Sequence, residues 1–371
     1  MTEQLKFIAY TDIHYSKLGA RCITIDDCAQ IEAAVHQRAG EWGADFTIFL
    51  GDRFLKREPE DETKVRADRI FKQSFFREAK YHHYHLIGNH DWTTNNREWH
   101  TSESLLTMNA GGHNFMMMGE PNTYSYDYCD HLIHALPAGF TFDFSKYTPR
   151  PDLLNIFVFH DMLYGSKLDD DGKATAQSGL SMPEMDRAEF DLVLAGDIHV
   201  PQRIPFKNTQ GMYLGAVMQR TMADSNRPRG WTEFTATQDG GKWSIEAEFV
   251  PTRNFFTRIS FEVGDTTEFS DLKFDEDLMN DCLVEVKLSG SKKNVDRVAD
   301  DPRWSNYAQY FTPRGFDVTR NYQIEQGSAV VELSQTHDIL EDLDLYLGSG
   351  FVDLGNLEKD KIIAKVQQLK E

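Results

Sequence analysis

The sequence predicts a layered α/β protein, because short apolar runs alternate with segments of helical periodicity through its first two-thirds. Each run has the usual length of a β-strand and ends abruptly at Asp, His, Asn or Gly. The six runs are residues 7–11, 46–50, 84–87, 132–136, 156–159 and 192–195. Since the polar clusters follow the predicted strands directly, we expect the chemistry of this protein at the strand ends.

Helices and a hairpin complete the predicted first domain. Residues 26–40 and 65–80 have apolar side chains at helical spacing. Residues 231–250 show two alternating strands around the turn Asp239-Gly240-Gly241, a pattern typical of a β-hairpin. We therefore predict a first domain over residues 1–252.

The rest of the chain is predicted to form an accessory domain and a tail. Residues 253–333 have a mixed pattern that indicates a small α/β domain. Its predicted elements are strands at 255–263, 282–288 and 322–325 and a helix at 294–299. Residues 334–371 contain two amphipathic segments, 338–347 and 357–369, which predict a helical tail.

Composition limits the function classes. The chain has 39 Lys and Arg against 59 Asp and Glu, a formal charge of -20, so any binding of nucleic acid must be local. Cys22, Cys28, Cys129 and Cys282 form no C-x-x-C pair, and we expect free thiols in a reducing compartment. No basic and apolar leader is present, and no apolar stretch reaches the roughly 18 residues of a membrane span, so a cytoplasmic protein without membrane contact is expected. The absence of a G-x-x-x-x-G-K-[ST] loop means that ATP hydrolysis would require a partner.

Five polar motifs follow the predicted strands. They are Asp12-Ile13-His14, Gly51-Asp52, Gly88-Asn89-His90-Asp91, His160 and Gly196-Asp197-Ile198-His199. Ligands at successive strand ends converge on one edge of a sheet, where two cations can share a bridging carboxylate. Imidazole, carboxylate and amide donors suit Mn, Zn or Fe better than Mg, and we expect manganese. One such motif alone is usually a polar turn, whereas five in this order predict a two-metal site.

The order D-x-H, G-D, G-N-H-D, H and G-x-H resembles the signature of the calcineurin-like metallophosphoesterases. Within that superfamily, Leu50-Gly51-Asp52-Arg53-Phe54, the G-N-H-D form and the segment from Tyr213 to Trp231 resemble the SbcD-type DNA double-strand-break repair exonucleases, a group that includes the meiotic recombination eleven-like nucleases. The order of parts is similar to that of compact bacteriophage recombination endonuclease subunits. The resemblance implies an α/β/β/α sandwich with residues 253–333 as a capping domain that recognises DNA.

The resemblance also implies roles for individual residues. The implied ligands are Asp12, His14 and His199 for one Mn²⁺, Asn89, His160 and Asp197 for the other, and Asp52 as the bridge. Mg²⁺ is the alternative metal. His90 would protonate the leaving oxygen, and Asp91 would orient His90.

Two positions depart from the family pattern. Asp197 stands where the family usually has the first His of G-H-x-H, and its extra negative charge is expected to harden the site toward Mn or Mg. Leu55 stands where relatives often place a His that orients or melts DNA, so that role is not carried over.

The implied function is a metal-dependent DNA nuclease, with 3′–5′ exonuclease and single-strand endonuclease activity, in DNA end processing, recombination and repair. The implied partners are DNA, an SbcC-like SMC-family ATPase gripped by residues 334–371, and a second copy of the chain within a heterotetramer. If the chain is phage-encoded, it would act in the host cytoplasm. The alternatives are a stand-alone phosphodiesterase for nucleotides or other small diesters, and a noncatalytic scaffold in which Asp197 has spoiled one metal site.

Other polar features are interpreted mainly as structure. The histidines of residues 81–85 are expected to divide between the two faces of a strand, and the basic residues of 64–80 to lie on a solvated helix. Residues 169–172 are expected to form an exposed loop, and Met116, Met117 and Met118 to pack in the core. A group left open between surface and DNA contact is Lys292, Lys293, Arg297, Arg303, Trp304 and Tyr307.

Overall fold

Three β-sheets organise the part of the chain that the computed structural model describes, which is residues 3–16, 23–78, 80–92, 114–274, 282–306 and 314–322. The strands of the first two sheets are β1 (Glu3–Tyr10), β2 (Phe46–Phe49), β3 (His82–Leu86), β4 (Phe115–Met118), β5 (Asn122–Tyr124), β6 (His131–Leu136), β7 (Leu154–His160), β8 (Leu192–Gly196), β9 (Gln202–Ile204), β10 (Gln210–Tyr213), β11 (Gly230–Asp239) and β12 (Lys242–Pro251). The third sheet contains β13 (Phe256–Val263), β14 (Leu283–Gly290) and β15 (Phe316–Tyr322). The α-helices are α1 (Ile25–Trp42), α2 (Asp61–Glu78), α3 (Met182–Met185) and α4 (Lys292–Ala299). All six predicted runs are strands.

Parallel strands form the centre of each large sheet. The first sheet has the order β12-β11-β1-β2-β3-β4, and the second has the order β5-β6-β7-β8-β10-β9. Strands β1 to β4 are parallel, as are β6, β7, β8 and β10. Gly240 and Gly241, with φ values of 58° and 81°, close the predicted hairpin between β11 and β12. The parallel arrangement sends the polar segments after β1, β2 and β3 to one end of their sheet.

An apolar layer fills the space between the two large sheets. Phe7 of β1 stacks on Phe46 of β2 and Phe234 of β11, with both pairs of ring centroids 4.7 Å apart. Ile156 and Leu194 enter the same cluster from the second sheet. Because these strands are covered on both faces, their sequences read as continuous apolar runs, which is why the pattern predicted them well.

Helices α1 and α2 cover the other face of the first sheet. The side chain of Thr24 caps α1 by accepting the N–H of Asp27, and Gly43 ends the helix in a left-handed conformation. Val35 of α1 and Phe71 and Phe75 of α2 are completely buried in this layer. The two helices predicted at 26–40 and 65–80 are thereby confirmed.

Irregular segments cover the outer face of the second sheet. Phe157, Phe159 and Phe190 pack there with Met185 of the short helix α3. A 3₁₀ turn at Phe144–Lys146 lies in the same layer. The predicted α/β/β/α layering is confirmed, although the described residues on this side are mostly without regular helix.

The third sheet is parallel throughout, and α4 packs against it. Val295 and Val298 of α4 join Val284 and Val286 of β14 in a separate core. Strand β15, at Phe316–Tyr322, begins before the strand predicted at 322–325, whose residues after Tyr322 lie outside the described ranges. Polar residues alternate with Phe316 and Val318 along this edge strand, so its sequence has no apolar run to reveal it. The tail over residues 334–371 lies outside the described residues, and the domain limits stay predictions.

The third sheet is joined to the first by specific contacts. Oε1 of Gln219 accepts the N–H groups of Phe255 and Phe256, at 2.7 Å and 2.9 Å. Asp27 of α1 accepts hydrogen bonds from both Arg253 and Arg314. Strand β13 therefore begins at a fixed point on the layer that carries α1.

The aromatic residue considered for base stacking lies in a core. Trp304 is 6% exposed, and its indole N–H donates to the Val298 carbonyl at 2.8 Å. A stacking role for Trp304 is therefore corrected. Tyr307, of the same group, lies outside the described residues.

The described residues also bear on two expectations from composition. Cys28, Cys129 and Cys282 form no disulfide with one another. In the described ranges, no helix is both long and apolar enough to cross a lipid bilayer.

Candidate metal centre

The backbone beyond β1, β2 and β8 adopts a conformation that residues other than glycine rarely take. Asp12, His14, Asp52 and Asp197 have φ values of 56°, 50°, 58° and 77°. Each such residue costs about 1–3 kcal/mol, and such residues cluster at functional sites. The segments after β1 and β2 are also joined, since the N–H of Asp12 donates to the Gly51 carbonyl at 3.0 Å. The fold therefore holds four predicted ligands in place at a conformational cost.

Three donor atoms converge between the segments that follow β1 and β8. Nε2 of His14 lies 3.0 Å from Nε2 of His199. Oδ1 of Asp12 lies 3.5 Å from the first nitrogen and 3.6 Å from the second. Two imidazole nitrogens beside a carboxylate are a donor set that suits a divalent transition metal. The predicted ligands of the first cation thus lie together.

The Asp52 carboxylate lies between this group and a second one. Its Oδ2 is 3.7 Å from Nε2 of His14, whereas its Oδ1 is 3.2 Å from Nε2 of His160. Oδ1 also accepts the backbone N–H of His90 at 2.9 Å, which fixes the carboxylate plane. One oxygen therefore faces each group, and this is the geometry that a bridge between two cations requires.

The second group contains His160, Asp197 and Asn89. Oδ1 of Asp197 is 3.9 Å from Nε2 of His160 and accepts a hydrogen bond from Nδ2 of Asn89 at 3.2 Å. Because this bond uses the amide nitrogen of Asn89, the amide oxygen remains available as a ligand atom. The predicted ligands of the second cation are therefore also neighbours.

Two buried oxygen atoms show whether the predicted ligands fit bound cations. Oδ1 of Asp12 and Oδ1 of Asn89 are buried and accept no hydrogen bond within the described ranges. A buried acceptor without a partner costs about 1–3 kcal/mol, and each group contains one. Bound cations would satisfy both oxygens, so the residues present fit the predicted pair of ions.

Backbone carbonyls of the segment after β2 orient three histidines. In each ring Nδ1 faces a carbonyl oxygen, which directs Nε2 toward the centre of the site. The pairs are His160 with Leu50 at 2.5 Å, His90 with Leu55 at 2.6 Å and His14 with Phe54 at 3.4 Å. Such a bond fixes the ring and makes Nε2 a better donor to a cation. Sequence reasoning missed these groups, because a carbonyl has no residue-type signal.

The Asp91 carboxylate, predicted to orient His90, contacts the backbone around the site. Asp91 is fully buried, and its carboxylate accepts three backbone N–H groups at 2.9 Å. The donors are Gly88, Asp52 and Arg53. Three N–H groups converging on one ion form strong hydrogen bonds, and they direct the carboxylate to the backbone. Asp91 thus ties the segment after β3 to the segment after β2, and its predicted role in orienting His90 stays a prediction.

The two groups differ in their electrostatics. Burial opposes ionisation of Asp12 and Asp52, but contacts with the imidazoles of His14 and His160 outweigh burial and lower the pKa of both carboxyls. Burial raises the pKa of Asp197 to about 6, and the charges of Asp12 and Asp52 act in the same direction. A proton would therefore compete with a cation for Asp197 at about pH 6 and below.

A cleft with a volume of about 990 Å³ opens from the metal centre. Four of the predicted ligands line it, namely His14, Asn89, Asp197 and His199. The lining also contains four arginines and six aspartates, which are Arg220, Arg227, Arg229, Arg258, Asp161, Asp169, Asp170, Asp171, Asp197 and Asp224.

Two solved structures are similar to parts of this chain. A dimetal phosphatase from Danio rerio aligns with a TM-score of 0.43 and 10% identity, over 66% of this chain and 98% of its own. GAP50, the anchor in the inner membrane complex of Plasmodium, aligns with a TM-score of 0.37 and 14% identity, over 67% of this chain and 89% of its own.

Sequence comparison gives a relative and a family. The DNA double-strand break repair protein Mre11 of Haloferax volcanii is 25% identical over 175 residues, which are 47% of this chain and 35% of that protein. The sequence model described as calcineurin-like phosphoesterase matches residues 5–201, more than half of the chain. Fold and site thus define a phosphoesterase with residue groups that could hold metal ions. The chain belongs to the calcineurin-like phosphoesterase family.

Proposed function

We propose that this chain is a metal-dependent nuclease that hydrolyses phosphodiester bonds of DNA with two divalent cations. The position of Asp52 carries the proposal, because its Oδ1 is 3.2 Å from His160 and its Oδ2 is 3.7 Å from His14. A carboxylate shared in this way serves an in-line displacement at phosphorus, where the attacking and the leaving oxygen need charge stabilisation together. The similarity to a protein named for DNA double-strand break repair supports DNA as the substrate.

We propose Mn²⁺ as the metal. Asp12, His14 and His199 would hold one ion, Asn89, His160 and Asp197 the other, and Asp52 both. When bound, the two cations supply Lewis-acid charge to the phosphoryl oxygens and lower the pKa of water. The chain itself fixes several of these groups, since the rings of His160 and His14 are held through Nδ1 and Asp91 holds the backbone around Asp52.

His90 is the proposed acid for the leaving oxygen. Its side chain is 41% exposed, and its Nε2 is 3.9 Å from Oδ2 of Asp52. Because Nδ1 donates to the Leu55 carbonyl, Nε2 is the nitrogen left to deliver a proton to substrate. Leu55, which stands where relatives often have a DNA-orienting histidine, thus contributes its carbonyl to the orientation of His90.

We further propose that the protein processes DNA ends in recombination and repair with an SbcC-like SMC-family ATPase. The helical tail predicted over residues 334–371 would bind that ATPase, and two copies of the chain would form the centre of a heterotetramer. These partners rest on the resemblance of the motifs and the order of parts. A chain shortened to residues 1–333 is expected to lose co-purification with the ATPase while it keeps activity toward a small diester.

The catalytic proposal is tested with the purified full chain and Mn²⁺. Labelled linear duplex and single-stranded DNA are offered beside an aryl phosphodiester, and His90→Ala is compared with His82→Ala, which lies outside the site. DNA cleavage that His90→Ala reduces by about a hundredfold or more, and His82→Ala leaves intact, supports a nuclease. Cleavage of the aryl diester alone would instead indicate a small-substrate phosphodiesterase. Inactivity on every substrate, also with the ATPase present, would indicate a scaffold.

A further inference from the structure

A tight turn beside the metal centre carries three consecutive aspartates. The turn is closed by a bridge between Lys167 and Thr175, and Asp169 accepts the N–H groups of Lys173 and Ala174 at 2.8 Å and 2.9 Å. Asp169 therefore stabilises the turn from within. The next two aspartates, Asp170 and Asp171, form ion pairs with arginines of the segment before β11. The two ion pairs differ in burial.

One of these ion pairs is fixed. Oδ2 of Asp170 lies 2.8 Å from Nη2 of Arg229, and Asp224 lies at the same distance from that nitrogen. The Arg229 side chain is only 2% exposed. Breaking a buried pair is strongly destabilising, because it leaves an uncompensated charge. Asp170 therefore anchors the turn to the body of the protein.

The other ion pair is exposed and has a substitute partner. Oδ1 of Asp171 lies 2.6 Å from Nη2 of Arg227, and the two side chains are 51% and 45% exposed. The second oxygen of Asp171 is 3.2 Å from Nζ of Lys173 on the same turn. An exposed ion pair contributes little to stability, and Lys173 remains as a partner of the carboxylate when Arg227 leaves it. This pair can therefore open at little cost.

Arg227 lines the same cleft as His199, Asp197 and Asn89 of the metal centre, and Asp171 lines it too. A guanidinium binds a phosphate diester in the same forked geometry with which it binds a carboxylate. The cleft, at about 990 Å³, is large enough for more than the one phosphate that the cations would take. Arg227 and the metal centre thus line one space that can hold more than one phosphate.

We propose that Arg227 binds a backbone phosphate next to the scissile one, and that Asp171 occupies Arg227 until a nucleic-acid strand displaces it. This inference rests on the proposed nuclease function and names the substrate as a strand with at least two phosphates. The Asp171 carboxylate then competes with phosphate for Arg227. This competition weakens the binding of small or wrongly placed anions, whereas a polyanion displaces Asp171. Arg227 is a positioning residue, since it acts away from the reacting atoms.

The test measures binding apart from catalysis. Anisotropy of a labelled single-stranded oligothymidylate is followed in EDTA with the full chain and its variants Arg227→Gln and Asp171→Asn. The matched control is Arg150→Gln, because Arg150 and Asp152 form another exposed arginine–aspartate pair that does not line the cleft. Hydrolysis of the oligonucleotide and of an aryl phosphodiester is then compared with Mn²⁺.

The expected result is about fivefold weaker binding for Arg227→Gln, with the salt slope reduced by about one, and about threefold tighter binding for Asp171→Asn. With Mn²⁺, KM for the oligonucleotide should rise in Arg227→Gln, while kcat/KM for the aryl diester stays within about twofold of wild type. Binding by both variants equal to that of Arg150→Gln overturns the inference. A wild-type chain that binds DNA but cleaves only the aryl diester refutes the nuclease proposal and leaves the binding result to be judged separately.

Discussion

Histidine side chains occupy two regions of this molecule with opposite surroundings. At the metal centre, the His160 ring is buried, yet the charges of Asp52 and Asp12 outweigh burial and raise its pKa. Under α1 and α2, burial lowers the pKa of His36 to about 3. Its nitrogens face the hydroxyls of Tyr10 and Tyr81, which are neutral partners.

Among the histidines of the strands, the surroundings depend on position along the strand. His83 and His85 lie within β3 and pack with Phe115, whereas His160 is the last residue of β7 and meets the carboxylates beyond the strand ends. His82 points to the other face of β3 and stacks on Tyr126, as strand alternation predicts. A histidine inside a strand thus serves as a polar aromatic core residue, and one at a strand end can be a ligand.

The largest effect is expected from removal of the Asp52 charge, since carboxylates distinguish the metal centre from the core that holds the other histidines. Asp52→Asn should lower kcat toward the aryl diester and DNA by at least about a thousandfold, because the shared negative ligand is lost. Metal content by mass spectrometry should fall from two Mn per chain to one or none. The core should be unaffected, so the near-ultraviolet circular dichroism should match wild type. Retention of two tightly bound ions and activity within tenfold would show that Asp52 is not a bridge.

The core histidines predict the dependence of stability on pH. Burial lowers the pKa of His36 and His131 to about 3, so the unfolded chain binds more protons than the folded chain between about pH 3 and 6.5. The free energy of unfolding should therefore fall as the pH falls below about 6.5, by about 1.4 kcal/mol per pH unit for each ring. Urea unfolding in EDTA at several pH values measures this slope.

A variant sharpens that measurement. His131 stacks on Phe46 with ring centroids 3.9 Å apart, so His131→Phe keeps an aromatic ring in place and removes one titrating group. The slope should decrease by about 1.4 kcal/mol per pH unit, whatever the absolute stability of the variant. An unchanged slope would mean that His131 does not titrate with unfolding.

Close approach of the backbone at the strand ends gives a smaller, local effect. A Cβ on Gly88 would lie 2.2 Å from Oδ1 of Asp52, whereas a Cβ on Gly119 would meet nothing within 4 Å. Gly88→Ala should thus displace the Asp52 carboxylate and reduce kcat by about ten- to a hundredfold, while Gly119→Ala keeps wild-type kcat. Equal activity of both variants would argue against a rigid metal centre.

Sequence reasoning succeeded where one pattern carried the information. Strands β1, β2, β7 and β8 are buried on both faces, so apolar runs located them, and the polar residue after each run located the site. It missed the beginning of β15, where polar residues alternate, and the backbone N–H groups that donate to Asp91. It also could not see the carbonyls that orient the histidines, since every residue has a carbonyl.

The smallest effect is expected from Asp197→His, which replaces a carboxylate of the candidate metal centre with the imidazole of the G-H-x-H pattern. Asp197 adds negative charge to the second group, and burial raises its pKa to about 6, so a proton competes with the cation there. Asp197→His should shift the ratio of Zn²⁺- to Mn²⁺-supported activity by about three- to tenfold toward Zn²⁺, because imidazole favours the softer ion. Activities of both proteins across Mn²⁺, Mg²⁺ and Zn²⁺ give this ratio, with Asp152→His, at an exposed residue outside the cleft, as the control. If the metal profile of Asp197→His equals that of wild type, the charge of Asp197 does not set the metal preference.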